Sequence, residues 1–217
     1  ALAFAITEEA VEDNLYDKLA GRYTKALARS MNNAKQIKGA NVLNNGFSSS
    51  YTGGDGKELL ATDHPTVTGG DFKNELTTAA DLNETSLEQA LVDLADMIDE
   101  RGLKVAVKAT QMLIPSELVF VAERLLQSQL RTGTADNDIN AFRSLGTVPE
   151  GFTVNHYLTD TNAWFLMTDI PNGFKHFVRT PIENSMDGDF DTGNVRYKSR
   201  ERYSFGVSDP LGAYGSP

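Results

Sequence analysis

One long segment near the N-terminus decides the fold that this sequence predicts. Residues 7–38 read TEEAVEDNLYDKLAGRYTKALARSMNNAKQIK, and apolar side chains recur at about every fourth position. Those positions are Val11, Leu15, Leu19, Tyr23, Leu27 and Met31. This period predicts an α-helix with one narrow apolar stripe. At 1.5 Å per residue the helix is about 45 to 50 Å long, and we expect it to lie across a sheet.

The two ends of this helix are marked by different residues. Thr7 is a predicted N-cap, and acidic side chains gather at the start, where the helix dipole favours them. We name them the acidic set: Glu8, Glu9, Glu12, Asp13 and Asp17. Gly39 is expected to end the helix. Gly21 lies midway and costs about 1 kcal/mol relative to alanine, which predicts a bend or a close backbone contact there.

Composition limits the classes of protein to consider. The 217 residues are 40% hydrophobic, enough for one large core or two modest ones. A formal net charge of −10 argues against a sequence-independent grip on nucleic acid, which needs clustered lysine and arginine. Without cysteine there is no disulfide or thiolate zinc site. No apolar run is long enough to span a membrane, so we expect a soluble protein.

The middle of the chain predicts two more helices. Residues 41–70 are rich in glycine, serine, asparagine and threonine, which predicts a loop. A capping box at Thr85–Glu88 opens a helix that closes at Arg101–Gly102. Residues 104–114 predict one or two short strands, and a further helix begins at Pro115.

The C-terminal third changes to a period of two. FTVNHYL, AWFLMTD and FKHFVR begin at Phe152, Ala163 and Phe174 and are separated by the turns DTN and PNG. They predict three successive strands joined by tight turns. A last, longer strand is predicted from Asn194 to Val207.

This last strand has two chemically different faces. Its odd-numbered positions are largely suited to packing, whereas its even-numbered positions form a row of cations. We name the row of Arg196, Lys198, Arg200 and Arg202 the basic row. Three interpretations are open: a solvated face whose stems cover apolar neighbours, a contact with an acidic surface of another subunit, or a contact with nucleic acid.

An acidic loop before this strand is a weak candidate metal site. Asp187, Asp189 and Asp191 have the spacing of a calcium loop. An EF-hand needs glycine at the sixth position and glutamate at the twelfth, where this chain has Thr192 and Lys198. A calcium-linked binding module is therefore one alternative function, and an acidic loop between strands is the simpler interpretation.

His64, with a nearby carboxylate, defines a second alternative, a hydrolase. A lone histidine beside a proline turn is more often a hydrogen-bonding loop residue. The sequence has no nucleophile elbow, no dinucleotide fingerprint and no distinctive pair of carboxylates. We therefore predict no enzymatic activity, no catalytic residue and no cofactor.

Five segments, in order, resemble one protein family. They are GKELLATDHP from Gly56, SLEQALVDLADMIDERG from Ser86, VKATQMLIPSELVFVAERLLQS from Val107, YLTDTNAWFLMTD from Tyr157 and RYSFGVSDPLGAYGS from Arg202. They resemble the major capsid proteins of tailed bacteriophages with the Hong Kong 97-type fold, most closely the Mu-like major head subunit group. The resemblance covers almost the whole chain.

The resemblance implies an α+β fold with two domains. A long spine helix crosses an antiparallel sheet in a peripheral domain, and a mixed α/β axial domain completes the subunit. Residues 1–79 would hold the spine helix and loop, residues 80–150 the axial domain, and residues 151–217 strands of both sheets, with the chain crossing between domains. The family places an arm and an extended loop before the spine helix, so we expect Ala1 to be a processed or trimmed end.

The resemblance also implies a function. Copies of a structural major capsid protein would assemble into hexamers and pentamers, and then into an icosahedral head around double-stranded DNA in the bacterial cytoplasm. Its partners would be further copies and portal, scaffold or decoration proteins, with packaged DNA contacted only weakly and no membrane. We predict that the main contact joins the acidic set to the basic row, within one subunit or across two.

Overall fold

The chain divides into two compact units. A computed structural model describes residues 1–13, 16–131 and 138–217, and of residues 16–18 the backbone alone. Unit 1 consists of Ala1–Gly39 and His176–Gly206, and unit 2 consists of Ala40–Lys175 and Val207–Pro217. Among the described helices, none is both long enough and apolar enough to cross a lipid bilayer.

The elements follow one another along the chain as five helices and nine strands within the described residues. They are β1 (Leu2–Ile6), α1 (Glu8–Glu12), α2 (Tyr16–Asn44), β2 (His64–Pro65), β3 (Asp71–Phe72), α3 (Glu84–Asp96), β4 (Ala109–Ile114), α4 (Val119–Leu126), α5 (Ala141–Leu145), β5 (Phe152–Val154), β6 (Trp164–Thr168), β7 (Phe174–Gly188), β8 (Val195–Val207) and β9 (Ala213–Ser216). Single turns of 3-10 helix lie at Ser116–Leu118 and Pro210–Gly212.

Unit 1 is a three-stranded sheet with the long helix against one face. The strand order is β1-β8-β7, so the predicted last strand is the central one. Strand β1 pairs with β8 in antiparallel register, with Phe4 opposite Tyr197. The helix row that meets the sheet repeats every fourth residue and consists of Leu27, Met31, Lys35 and Gly39, of which Met31 is 5% exposed. The predicted helix lying against a sheet is confirmed.

The start of the helical segment differs from the prediction. Thr7 occupies the N-cap position, but its side chain makes no capping hydrogen bond. Helix α1 ends at Glu12 and α2 begins at Tyr16, so the segment contains two helices. The predicted stripe residue Leu15 lies outside the described residues.

The end of the helical segment also differs. Helix α2 continues through Gly39 to Asn44, because Ala40 and Leu43 are buried and their burial outweighs a local stop signal. Gly39 serves packing instead. A Cβ at this position would lie 3.6 Å from the ring of Phe205, so the missing side chain lets the helix backbone approach β8 closely.

Unit 2 is organised around a four-stranded mixed sheet with strand order β5-β4-β6-β9. Strand β4 pairs in parallel with β5 and in antiparallel with β6, which also pairs in antiparallel with β9. The prediction that the strands at Phe152, Ala163 and Phe174 pair in succession is therefore wrong. Strand β4 lies between β5 and β6, and its backbone N–H and C=O groups are paired along both of its edges.

The predicted capping box of the third helix is displaced by two residues. The N-cap of α3 is Asn83, whose side chain accepts a hydrogen bond from the Ser86 amide at 2.9 Å. The Ser86 hydroxyl accepts from the Asn83 amide in return, so Thr85 is inside the helix. The helix ends at Asp96, and Gly102, with φ of 79°, belongs to a later turn.

One boundary between the two units lies between Gly39 and Ala40. Residues 40–79 belong to unit 2, because this segment is tied to the C-terminal segment. The Asn74 side-chain amide donates to the carbonyls of Leu59 and Pro210 at 2.8 and 2.9 Å, and the Leu76 amide donates to Gly215 at 3.4 Å. Local composition identified this segment as a loop but carried no information about its distant partners.

Two glycines in unit 2 touch each other backbone to backbone. A Cβ on Gly212 would lie 2.6 Å from the Cα of Gly173, and a Cβ on Gly173 would lie 2.9 Å from the Cα of Gly212. Both distances are too short for a carbon contact, so neither position accepts a side chain without a backbone shift. At Gly21 an added Cβ meets nothing within 4 Å, so the predicted close contact at that position is wrong.

We expect opposite effects from alanine at these two kinds of glycine. Gly212→Ala should lower the free energy of unfolding by about 1 to 3 kcal/mol, because the backbone has to move. Gly21→Ala should raise the stability of α2 by about 0.5 to 1 kcal/mol, because alanine is the better helix former. Urea titration measures both, with Trp164 fluorescence reporting on unit 2 and circular dichroism on the helix. An unchanged transition for Gly212→Ala would contradict the packing described here.

Candidate assembly surface

Strand β8 presents two different faces, as its sequence predicts. Its even-numbered side chains Arg196, Lys198, Arg200 and Arg202 are exposed. Its odd-numbered side chains are partly or fully buried; Ser199 is 4% exposed, and the Glu201 side chain is 8% exposed. The alternation means that one strand both anchors α2 and carries the exposed basic row.

Aromatic stacking holds the buried face of this sheet. Phe4 of β1 stacks on Tyr197 with ring centroids 4.9 Å apart, and it also meets Tyr23 of α2 at 5.5 Å. Farther along the strand, His176 stacks on Phe205 at 4.6 Å. These contacts run along β8 and fix it between its two neighbouring strands and the helix.

A buried ion pair joins α2 to the same face. The Lys35 Nζ lies 2.7 Å from a carboxylate oxygen of Glu201, and it also lies 5.1 Å from the centre of the Tyr203 ring. The alternation along the strand assigns Glu201 to the packed face, but no pattern in the sequence indicates its partner. The one signal in the sequence was a carboxylate on a face that, apart from Ser199, is aromatic and aliphatic.

Most of the basic row is without an internal ion pair. Arg196 donates to the Asp189 carboxylate in the turn between β7 and β8. Among the ion pairs that the described residues form, none includes Lys198, Arg200 or Arg202. These three exposed cations are therefore available to an external acidic surface.

The residues of the predicted calcium loop lie at the end of β7 and in the turn between β7 and β8. The carboxylate of Asp189 accepts hydrogen bonds from Arg196 and from the Thr192 hydroxyl, the latter at 2.8 Å. Asp187 and Asp191 are exposed. Across the residues that the structure describes, no group of three or more histidine, aspartate or glutamate side chains is arranged to hold a metal ion.

The acidic set is exposed at the start of the helical segment. Glu8, Glu9, Glu12 and Asp13 are all exposed, whereas the side chain of Asp17 lies outside the description. A side chain on Gly193, whose φ is 67°, would collide with the Glu8 carboxylate, so Glu8 lies over the β7–β8 turn. No ion pair within the described part of this subunit joins the acidic set to the basic row.

His64 is a buried residue of unit 2 and is 1% exposed. Its Nδ1 lies 2.6 Å from the Asp55 carboxylate, and its Nε2 lies 3.1 Å from Oδ1 of Asn74. The ring also stacks on Phe72 with centroids 4.7 Å apart. Both ring nitrogens are thus engaged by neighbouring side chains.

A second buried polar group in unit 2 was not predicted. The Asp93 carboxylate accepts from the Tyr214 hydroxyl at 2.6 Å and pairs with the Lys73 ammonium at 2.9 Å. Burial, followed by the hydrogen bond and the negative charge of Asp93, raises the pKa of Tyr214. These bonds join α3 to β9 and to Lys73, which precedes α3 in the chain. No local pattern in the sequence indicates such distant partners.

The family of the chain follows from comparison with known proteins. The model of the phage capsid protein family matches residues 1–216. The chain belongs to the phage capsid protein family, and it is a structural major capsid protein. A comparison with curated proteins finds no match.

Solved structures show the same fold. A phage-related protein from Bordetella bronchiseptica RB50 is 14% identical, with a TM-score of 0.55, over 99% of this chain and 71% of that one. A structure from Mycobacterium phage Che8 is 15% identical, with a TM-score of 0.55, over 99% and 68%. The capsid of Myoviridae phage XM1 is 13% identical, with a TM-score of 0.54, over 99% and 71%. The chain has the Hong Kong 97-type fold that its sequence predicts, while the Mu-like group stays a prediction.

The ion pair of Lys35 and Glu201 predicts a difference between two lysines. Lys35→Ala should destabilise unit 1 by about 1 to 3 kcal/mol, because it leaves a buried carboxylate without its partner. The matched change Lys198→Ala, on the exposed face of the same strand, should alter stability by less than about 0.5 kcal/mol.

Hydrogen exchange at the β8 amides measures this difference directly, because exchange there reports opening of the sheet. We expect faster exchange in Lys35→Ala and exchange close to that of the unchanged protein in Lys198→Ala. Equal exchange in the two variants would show that the ion pair does not stabilise the sheet.

Proposed function

We propose that copies of this capsid protein assemble through the exposed face of β8. Lys198, Arg200 and Arg202 would meet the acidic set of a neighbouring copy, and repetition would build hexamers, pentamers and then an icosahedral head around double-stranded DNA. The observation that carries the proposal is the row of three exposed cations without an ion-pair partner among the described side chains of their own subunit.

The chemistry of the two surfaces favours a head-to-tail contact. Each copy carries an acidic set at one place and a basic row at another, so the contact joins two different patches. Interfaces of this kind form closed rings when the rotation between neighbours closes on itself. This is the geometry required of hexameric and pentameric rings.

The strength of a single contact suits assembly. An exposed ion pair contributes only about 0.2 to 1 kcal/mol, so one misplaced contact dissociates readily. A subunit held by several neighbours at once is retained far more strongly, because later contacts form at a high effective concentration. Weak individual contacts and a permanent shell are therefore compatible.

The proposed partners follow from the charge balance. A formal net charge of −10 disfavours tight binding to packaged DNA, so we assign the basic row to a protein surface rather than to nucleic acid. Assembly in the bacterial cytoplasm, together with portal, scaffold or decoration proteins, completes the proposal. Unit 1, with its helix and sheet, would be the peripheral domain, and unit 2 the axial domain.

We propose no catalytic role for the chain. His64 is buried, and both of its ring nitrogens are occupied, so it lacks the access that a hydrolytic base needs. Asp189 is engaged by Arg196 and Thr192, so its carboxylate serves the hairpin turn rather than a calcium-linked binding module.

Reversal of the basic row tests the proposed contact. Arg200→Glu combined with Arg202→Glu should prevent particle formation, because like charges would face each other between copies. The circular dichroism of the separated chain should be unchanged, since both side chains are exposed. Light scattering and negative-stain electron microscopy measure particle formation.

Two controls make the result specific. Lys108→Glu combined with Arg124→Glu changes the net charge by the same amount in unit 2, and this variant should still assemble. Adding Glu9→Lys and Glu12→Lys to the Arg200→Glu, Arg202→Glu variant should restore particles. Both surfaces then carry the reverse of their original charge at these positions, so they again attract each other. Normal particles from the strand variant alone would refute the proposed contact.

A further inference from the structure

The buried surroundings of His64 determine which of its ring atoms carry hydrogen. The histidine begins β2 and lies between the turn at residues 53–58 and Asn74. Its two ring nitrogens face two oxygen atoms, those of Asp55 and Asn74. A neutral imidazole has one donor and one acceptor nitrogen, so it satisfies two facing acceptors only in part.

The orientation of the Asn74 amide is set by three other groups. Its Nδ2 donates to the carbonyls of Leu59 and Pro210, and its Oδ1 accepts from the Ala61 amide at 2.9 Å. Exchanging Oδ1 with Nδ2 would place oxygen against two carbonyls and an NH₂ group against an N–H donor. Asn74 is 0% exposed, so water could not replace the lost bonds. The atom that faces His64 is therefore an oxygen, and Nε2 has to be a donor.

The other nitrogen, Nδ1, faces the carboxylate of Asp55. Burial is the largest single influence on the pKa of Asp55, and by itself it would raise that pKa. The hydrogen bond from His64, the Lys57 amide and the charge of His64 act in the other direction, and together they lower that pKa. Asp55 is then an ionised acceptor, and the hydrogen between the two groups lies on Nδ1.

We propose that His64 is a doubly protonated imidazolium cation that fixes the turn at residues 53–58 to the buried side chain of Asn74. Loss of the Nδ1 hydrogen releases this turn, because Asp55 then loses its hydrogen bond from the ring, whereas Asn74 Oδ1 keeps the Ala61 amide as a donor. The device is a charge lock within unit 2, separate from the proposed assembly surface on unit 1.

The lysines near His64 are paired with other carboxylates, and the remaining charged side chains of the turn and of β3 are acidic. Lys57 pairs with Asp63, and the ammonium of Lys73 lies 2.9 Å from Asp93. The further charged side chains of the turn and of β3 are Glu58 and Asp71, which are both acidic. Asp55 is the carboxylate in contact with the ring.

Nuclear magnetic resonance of histidine labelled with ¹⁵N tests the proposal. In the full chain carrying His156→Gln and His176→Gln, His64 is the one histidine left, since the chain has three. Both replaced residues are exposed, but His176 also stacks on Phe205, so the circular dichroism of this variant is first compared with that of the unchanged chain to establish that the fold is kept. The measurement is made at a pH at which His156 and His176 of the unchanged protein show a single ring N–H each.

Two ring N–H groups on His64 are the expected result. A single ring N–H, on either nitrogen, would overturn the proposal. Adding Asp55→Asn to the same protein tests the counter-charge, because asparagine keeps an acceptor but removes the negative charge. We expect the ring to fall from two N–H groups to one, and retention of both would show that Asp55 does not hold the cation.

Discussion

Strand β8 must satisfy two environments at once, and unit 1 depends on how it does so. One face meets α2 through stacked rings and the ion pair of Lys35 with Glu201, while the other leaves the basic row exposed. The pleat of an extended strand enforces this division, since neighbouring side chains point to opposite faces. The contacts that hold the helix in place therefore also orient the cations that we assign to assembly.

Unit 2 is held by polar groups that connect distant parts of the chain. The side chain of Asn74 joins the segment after α2 to the C-terminal segment, and Asp93 joins α3 to Tyr214 of β9. In a buried setting each such bond is costly to lose, because no water replaces it. A segment that is a loop by composition thus becomes part of the core, and His64 adds a charge to that arrangement.

Features encoded by a local period were predictable from the sequence. The four-residue repeat identified α2, and the alternation along β8 identified both the packed face and the basic row. Features that depend on distant partners were not predictable from the sequence. Examples are the separation of β5 from β6 by β4 and the pairing of Lys35 with Glu201. Gly39 shows the difference most clearly: its type suggested a helix end, but its role is contact with Phe205.

Cryo-electron microscopy of assembled particles would show whether the exposed face of β8 is a contact between copies. We expect a closed shell in which Lys198, Arg200 and Arg202 lie within ion-pair distance of the acidic set of a neighbouring subunit. A shell in which these side chains face solvent or the packaged DNA, with the acidic set elsewhere, would contradict it.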